Sequence, residues 1–183
     1  MCHAFSKLLD KDYLALIREN YLEEEEDIRP LVREATAALS ASELEEVIGA
    51  PGWRGAVVGV HCAIATGNPE WVRILAARLT DQCPPLLRRP ILLGLAILGS
   101  EEAFAAIRDF VSRPYVPDAA DDYVAAFEAL WHVGDRTCTL LQQEREAALL
   151  AEGVTRQNID RSRMRFRKAL NFWASNMPAD RHT

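Results

Sequence analysis

Apolar and polar positions follow a helical period along most of the chain. Tyr13, Leu14, Ile17, Tyr21 and Leu22 share one face of a helix expected from Asp10 to about Glu26, with Asp10 or Asp12 as its cap. Pro30 opens a second helix, in which Leu31, Val32, Ala35, Ala38 and Leu39 form a stripe that runs to Ser40. A short third begins with Ser42-Glu43-Leu44-Glu45 and ends at Gly49, before the Ala50-Pro51-Gly52 turn. These elements make up an N-terminal segment, residues 8–50.

The next stretch repeats itself. Thr66-Gly67-Asn68, Leu98-Gly99-Ser100 and Val133-Gly134-Asp135 each follow one apolar run and precede another, and the glycines are 32 and 35 residues apart. Glycine accepts the left-handed conformation that stops a helix, and Asn, Ser or Asp can accept backbone N–H bonds at the start of the next. Spacings of ~20 to 50 residues mark stacked repeats. Three helix pairs over 53–150 follow. Apolar positions keep register across them: Trp71, Phe104 and Cys138 fall four or five residues after each glycine, and Leu75, Ile107 and Leu141 seven or eight after.

Within the first pair, Gly55 and Gly59 are small enough to admit a neighbouring helix, and Asn68-Pro69-Glu70 reads as the start of the second helix. The run Leu86 to Leu98 is apolar around most of its circumference, which predicts a central position, with Pro90 still in its first turn. The third pair's second helix is more polar, as expected near the end of a stack. From about Arg156 a last helix over 156–175 carries Ile159, Phe166, Leu170 and Trp173 on one face and is expected to cap the last pair. The fold expected is all-α and single-domain (1–183): about nine or ten helices, arranged as antiparallel hairpins stacked into an α-solenoid.

Charge divides the chain. Residues 1–50 hold five Lys/Arg against twelve Asp/Glu, and residues 151–183 hold seven against three, within an overall net charge of −6. The run Glu23, Glu24, Glu25, Glu26 and Asp27 sits at a helix C-terminus, where the macrodipole already places negative charge. It is the largest uncompensated cluster and the first candidate for meeting a basic partner. Arg156 to Lys168 contains six basic residues and one acidic residue. That helix would suit phosphate contacts, but in an acidic protein it is better explained by lying against carboxylates of the same chain.

Catalytic chemistry has no local signature. His61 and His132 lie in helices without HExxH spacing, and no GxSxG, GxxxxGK[ST] or GxGxxG occurs. Asp121 and Asp122 read most simply as caps. Cys2, Cys62, Cys83 and Cys138 form no CxxC pair, so neither a metal site nor a disulfide framework is expected. No cofactor is predicted. The absence of a long apolar run or a signal-peptide pattern points to the cytoplasm. The Ser112 to Asp118 connection is the longest irregular one and could present Tyr115 and Asp118 to a partner.

The glycine-centred pairs resemble HEAT/armadillo repeats. Pro51-Gly52-Trp53-Arg54-Gly55 with Gly59, Leu95-Ala96-Ile97-Leu98-Gly99-Ser100-Glu101-Glu102 and Leu130-Trp131-His132-Val133-Gly134-Asp135 further resemble an uncharacterised bacterial family of small helical-repeat proteins. Such families include immunity proteins that neutralise toxins. The resemblance implies a non-enzymatic protein that binds a toxin or effector domain, with Trp53 and Arg54 of the GWRG turn joining the acidic run and the loop as contact candidates. A repeat scaffold or regulatory protein is the alternative, and a nucleic-acid binder using the basic helix is a weaker one.

Overall fold

A computed structural model of the chain describes residues 3–18, 27–80, 82–114, 116 and 119–175. Among them every regular element is helical and no strand occurs. The elements are α1 (His3–Lys7), a π-helical stretch (Leu8–Asp12), α2 (Tyr13–Arg18), α3 (Arg29–Ala37), α4 (Ala41–Gly49), α5 (Trp53–Thr66), α6 (Trp71–Arg78), α7 (Pro85–Leu98), α8 (Glu101–Ser112), α9 (Ala120–His132), α10 (Thr139–Ala151) and α11 (Arg156–Ala174). None is long and apolar enough to cross a membrane.

Among the described residues eleven α-helices stand against the nine or ten expected, because helical structure begins at His3 rather than Asp10. Ala4, Phe5 and Leu8 are buried, and α1 packs on α3. Asp10 lies inside the π-helical stretch, so it caps nothing. One wider turn there shifts the phase of the helix between Leu8 and the buried Leu16.

The three glycine junctions have the geometry expected of helix stops. Gly67, Gly99 and Gly134 have φ of 63°, 57° and 81°, conformations that cost a β-carbon-bearing residue strain. Ser100 then caps α8 by accepting the Ala103 N–H at 3.0 Å, and Asn68 accepts that of Glu70 at 3.0 Å, although α6 is regular only from Trp71. At the third junction Asp135 accepts the Thr137 N–H at 2.8 Å, two residues before α10 starts. Ser40, rather than Ser42, caps α4 through a reciprocal capping box with Glu43.

The contacts between helices define three layers. α5, α7 and α9, the first helices of the three pairs, pack side by side. On one side lie α4, α6 and α8; on the other lie α3, α2 and α11, with α2 crossing α5 and α7, and α11 crossing α7 and α9. The middle layer is therefore enclosed. Ala56 to Ile64 of α5 and Asp122 to Leu130 of α9 are each an unbroken run of buried residues, which a helix with one solvated face does not show. α7 touches both outer layers, as its all-round apolar sequence predicts. It starts at Pro85, so Pro90 falls in its second turn rather than its first. Pro90 has no N–H to offer the carbonyl of Leu86, a residue at the exposed edge of the helix.

α4 approaches α5 closely at Gly59. A β-carbon there would stand 2.9 Å from Ile48 Cγ1 and 3.0 Å from Val47 Cγ1. At the other end α10 buries only Gln142 and Leu149, and a small cluster of Val124, Leu149 and Ile159 ties it to α9 and α11. The apolar face of α11 is the expected one, with Ile159, Phe166, Leu170 and Trp173 buried. It covers α9 of the last pair and extends beyond it over α7.

Candidate functional site

The candidates from the sequence separate into three places. Glu23 to Glu26, Tyr115 and Asp118 lie outside the described residues. Asp27 is described and is compensated: Arg29 donates to its carboxylate through Nε at 2.7 Å and through its own backbone N–H at 3.0 Å. The Arg29 side-chain bond holds the Asp27 carboxyl below its ordinary range. Trp53 and Arg54 belong to an aromatic cluster at the start of α5. Tyr13 of α2 meets the Trp53 ring edge-on at 5.6 Å, and the exposed Arg54 lies over Tyr13 at 5.0 Å and Trp53 at 5.4 Å. The GWRG turn thus anchors α2 to α5.

The irregular connection is fastened at its base. Tyr123 donates to the Pro114 carbonyl at 3.0 Å, and Arg145 reaches the Arg113 carbonyl at 2.7 Å. Beside it a small cavity of ≈ 80 Å³ lies between Arg88, Phe110, Arg113 and Tyr123. Asp122 is not a helix cap but a buried carboxylate 3.5 Å from Arg88, and burial pushes its pKa up to about 7 against the pull of that arginine. Arg88 also donates to the Cys83 carbonyl at 3.1 Å. Burial raises the Cys83 thiol to about 11, so it is an inert core group at neutral pH. Cys62 is buried as its helical position predicts, while Cys138 is only partly so.

The densest polar arrangement lies between α9 and α11. Glu128 is 2% exposed, yet it receives two arginines from α11: Arg163 Nε at 2.7 Å on Oε1, and Arg167 Nε on Oε2. Arg163 also reaches Glu146 of α10 at 2.6 Å and Asp160 at 3.1 Å, and Arg156 reaches Glu146 at 2.6 Å. Burial raises the Glu146 carboxyl, but hydrogen bonds from Gln142 and Arg156 and the charges of Arg163 and Arg156 outweigh this and hold it low. Arg156, Arg163 and Arg167 of the basic helix are thus paired with carboxylates of their own chain.

Above this network opens a groove of ≈ 250 Å³, walled by Glu128, Trp131 and His132 of α9, Arg136 beyond the Gly134 turn, and Arg167 and Asn171 of α11. Arg136 stacks on Trp131 at 4.6 Å and donates to its carbonyl at 3.1 Å. Both Glu128 oxygens are engaged by guanidinium groups. The lining contains two guanidinium groups, an imidazole, an indole, an amide and one carboxylate. The guanidinium groups of such a lining are suited to holding an anion. Among the described residues no cluster of His, Cys, Asp or Glu could hold a metal ion.

Sequence reasoning missed this groove, though a signal was there. Glu128 and His132 stand at i and i+4 on α9, as do Arg163, Arg167 and Asn171 in succession on α11, so each helix offers one polar stripe. Asp135, three residues after His132, belongs to neither stripe: the Gly134 turn sends it to Arg108, whose Nη1 it meets at 2.7 Å. His61 is a core residue. It is fully buried, donates from Nδ1 to the Val57 carbonyl at 2.9 Å and packs beside Trp173 at 5.4 Å. No family model, curated protein or solved structure matches the chain.

Proposed function

We propose that the chain is a non-catalytic, protein-binding module whose helix pairs stack in a HEAT-like α-solenoid, and that it acts in the bacterial cytoplasm as an immunity protein occluding a basic surface of a cognate toxin. The observation that supports this reading is the distribution of charge between layers. Arg156, Arg163 and Arg167 are paired with Glu128 and Glu146, which offsets part of the positive charge of the chain's basic segment. The outer layer remains acidic. α4 exposes Glu43, Glu45 and Glu46 with no basic residue of its own; beside it Glu70 and Glu102 are exposed against Arg73 of α6, and Glu101 pairs with Arg108. A surface of this sign steers a basic partner toward it.

Capture from the native host, together with coexpression beside a neighbouring toxin gene, tests the reading. Expected are a one-to-one complex that weakens with salt, protection of the cells, and loss of both when Glu45 and Glu46 are changed to Lys. Absence of a stable partner together with absence of protection rejects it. A repeat scaffold would give the complex without the protection. A nucleic-acid binder would retain DNA or RNA in a salt-dependent manner, and the internal pairing of Arg163 and Arg167 weighs against that.

A further inference from the structure

We propose that the groove between α9 and α11 is a binding site for a small phosphate-class oxyanion, held chiefly by Arg136 and Arg167. Two guanidinium groups line it against one carboxylate, Glu128, and that carboxylate is also met from below by Arg163. The groove is therefore a positive spot on an acidic protein. Neither lining arginine has used its full set of five N–H donors. Arg167 engages Glu128 through Nε, and Arg136 gives one bond from Nη1 to the Trp131 carbonyl while its plane rests on the indole. Among the described residues no carboxylate pairs with Arg136.

Both forks are held at one edge, so little side-chain freedom remains to be lost when the other edge meets a ligand. His132 and Asn171 supply imidazole and amide groups at the exposed rim. Donors thus line the groove from two helices and from the Gly134 junction. A tetrahedral oxyanion presents acceptors in three directions and can meet all of them, whereas a planar carboxylate presents a single edge. This inference is independent of the acidic face on the opposite layer.

Inorganic phosphate is the probe, titrated into the full chain at constant ionic strength and followed by amide and indole NMR signals, with acetate as the planar comparator. Expected are saturable shifts centred on Trp131, His132 and Asn171, and phosphate affinity about tenfold weaker in Arg136→Ala, the size of losing hydrogen bonds from a charged donor. Arg161→Ala, an exposed change elsewhere on α11, should leave affinity unchanged. Arg136→Lys keeps the charge without the fork and should fall between wild type and Arg136→Ala; it also stands in should the alanine variant lose its helical circular dichroism. Shifts that do not saturate, equal weakening by Arg161→Ala, or acetate binding as tightly as phosphate would overturn the proposal.

Discussion

Arg29 of α3 stands 4.3 Å above the ring of Phe172 of α11 and donates to the Phe172 carbonyl at 3.4 Å. Residues 143 apart in sequence are thereby joined within one outer layer. Arg29→Lys retains the charge beside Asp27 but loses the planar stack, and should lower stability by about 1 kcal/mol. Urea unfolding read by tryptophan fluorescence measures this. An unchanged midpoint would show that the stack contributes nothing.

Glu128 should matter more. Its replacement by Ala leaves the largely buried Arg163 short of a partner and frees the half-exposed Arg167, and a loss of about 3 kcal/mol is expected, chiefly from Arg163. Arg163→Glu combined with Arg167→Glu should be worse still, since it sets carboxylates against Glu128 and Glu146. The measured quantity is the thermal midpoint across a salt series. A double variant as stable as wild type would show that the network in α11 is not structural.

Two buried groups oppose each other in their response to pH. Asp122, raised from 3.8 to about 7 by burial, contributes stability that is complete below pH 3.8 and is lost as pH rises through 7. His61, lowered from 6.5 to about 4 by burial, contributes stability present above pH 6.5 and lost as pH falls through 4. Each slope is at most about 1.4 kcal/mol per pH unit, and between pH 4 and 6.5 they have opposite signs. Stability should therefore be nearly flat there in the wild type. His61→Gln should gain stability on acidification across this window and Asp122→Asn should lose it, as read from urea midpoints at successive pH values. Parallel curves for all three proteins would contradict the assignment.

Gly59→Ala should separate α4 from α5. The added methyl meets two branched side chains below 3.1 Å, with the Ile48 backbone nitrogen at 3.4 Å behind them. Overpacking of this kind costs about 2 kcal/mol. Gly49→Ala, where nothing lies within 4 Å, is the control and should cost far less. Equal effects at the two glycines would mean that helix approach is not what Gly59 provides.

Features set by local chemistry were legible in the sequence. A glycine followed by a polar cap identifies Gly67, Gly99 and Gly134 without reference to the rest of the chain, and a stripe such as Ile159, Phe166, Leu170 and Trp173 identifies the buried face of α11. What that face covers was not legible, because a stripe states that a helix has a neighbour without saying which. Asp122 shows the same limit: its sequence setting is that of a cap, and only tertiary burial makes it a partner of Arg88. At the N-terminus Asp10 is a plausible cap by type, yet Ala4 and Phe5 find a surface on α3 that draws helical structure back to His3. The groove was half legible, through its i,i+4 spacings, but the meeting of two stripes belongs to the fold.

The enclosed middle layer bears on how the chain is made. α7 and α9 leave the ribosome well before Arg156 to Ala174, the segment that shields one side of both. During that interval the nascent chain shows an apolar sheet of helix faces to the cell, a state open to chaperones and proteases. Synthesis of α11 is thus the step that encloses this side of the middle layer, and rare codons or truncation there should bear on the protein's survival far more than the same lesion in α10.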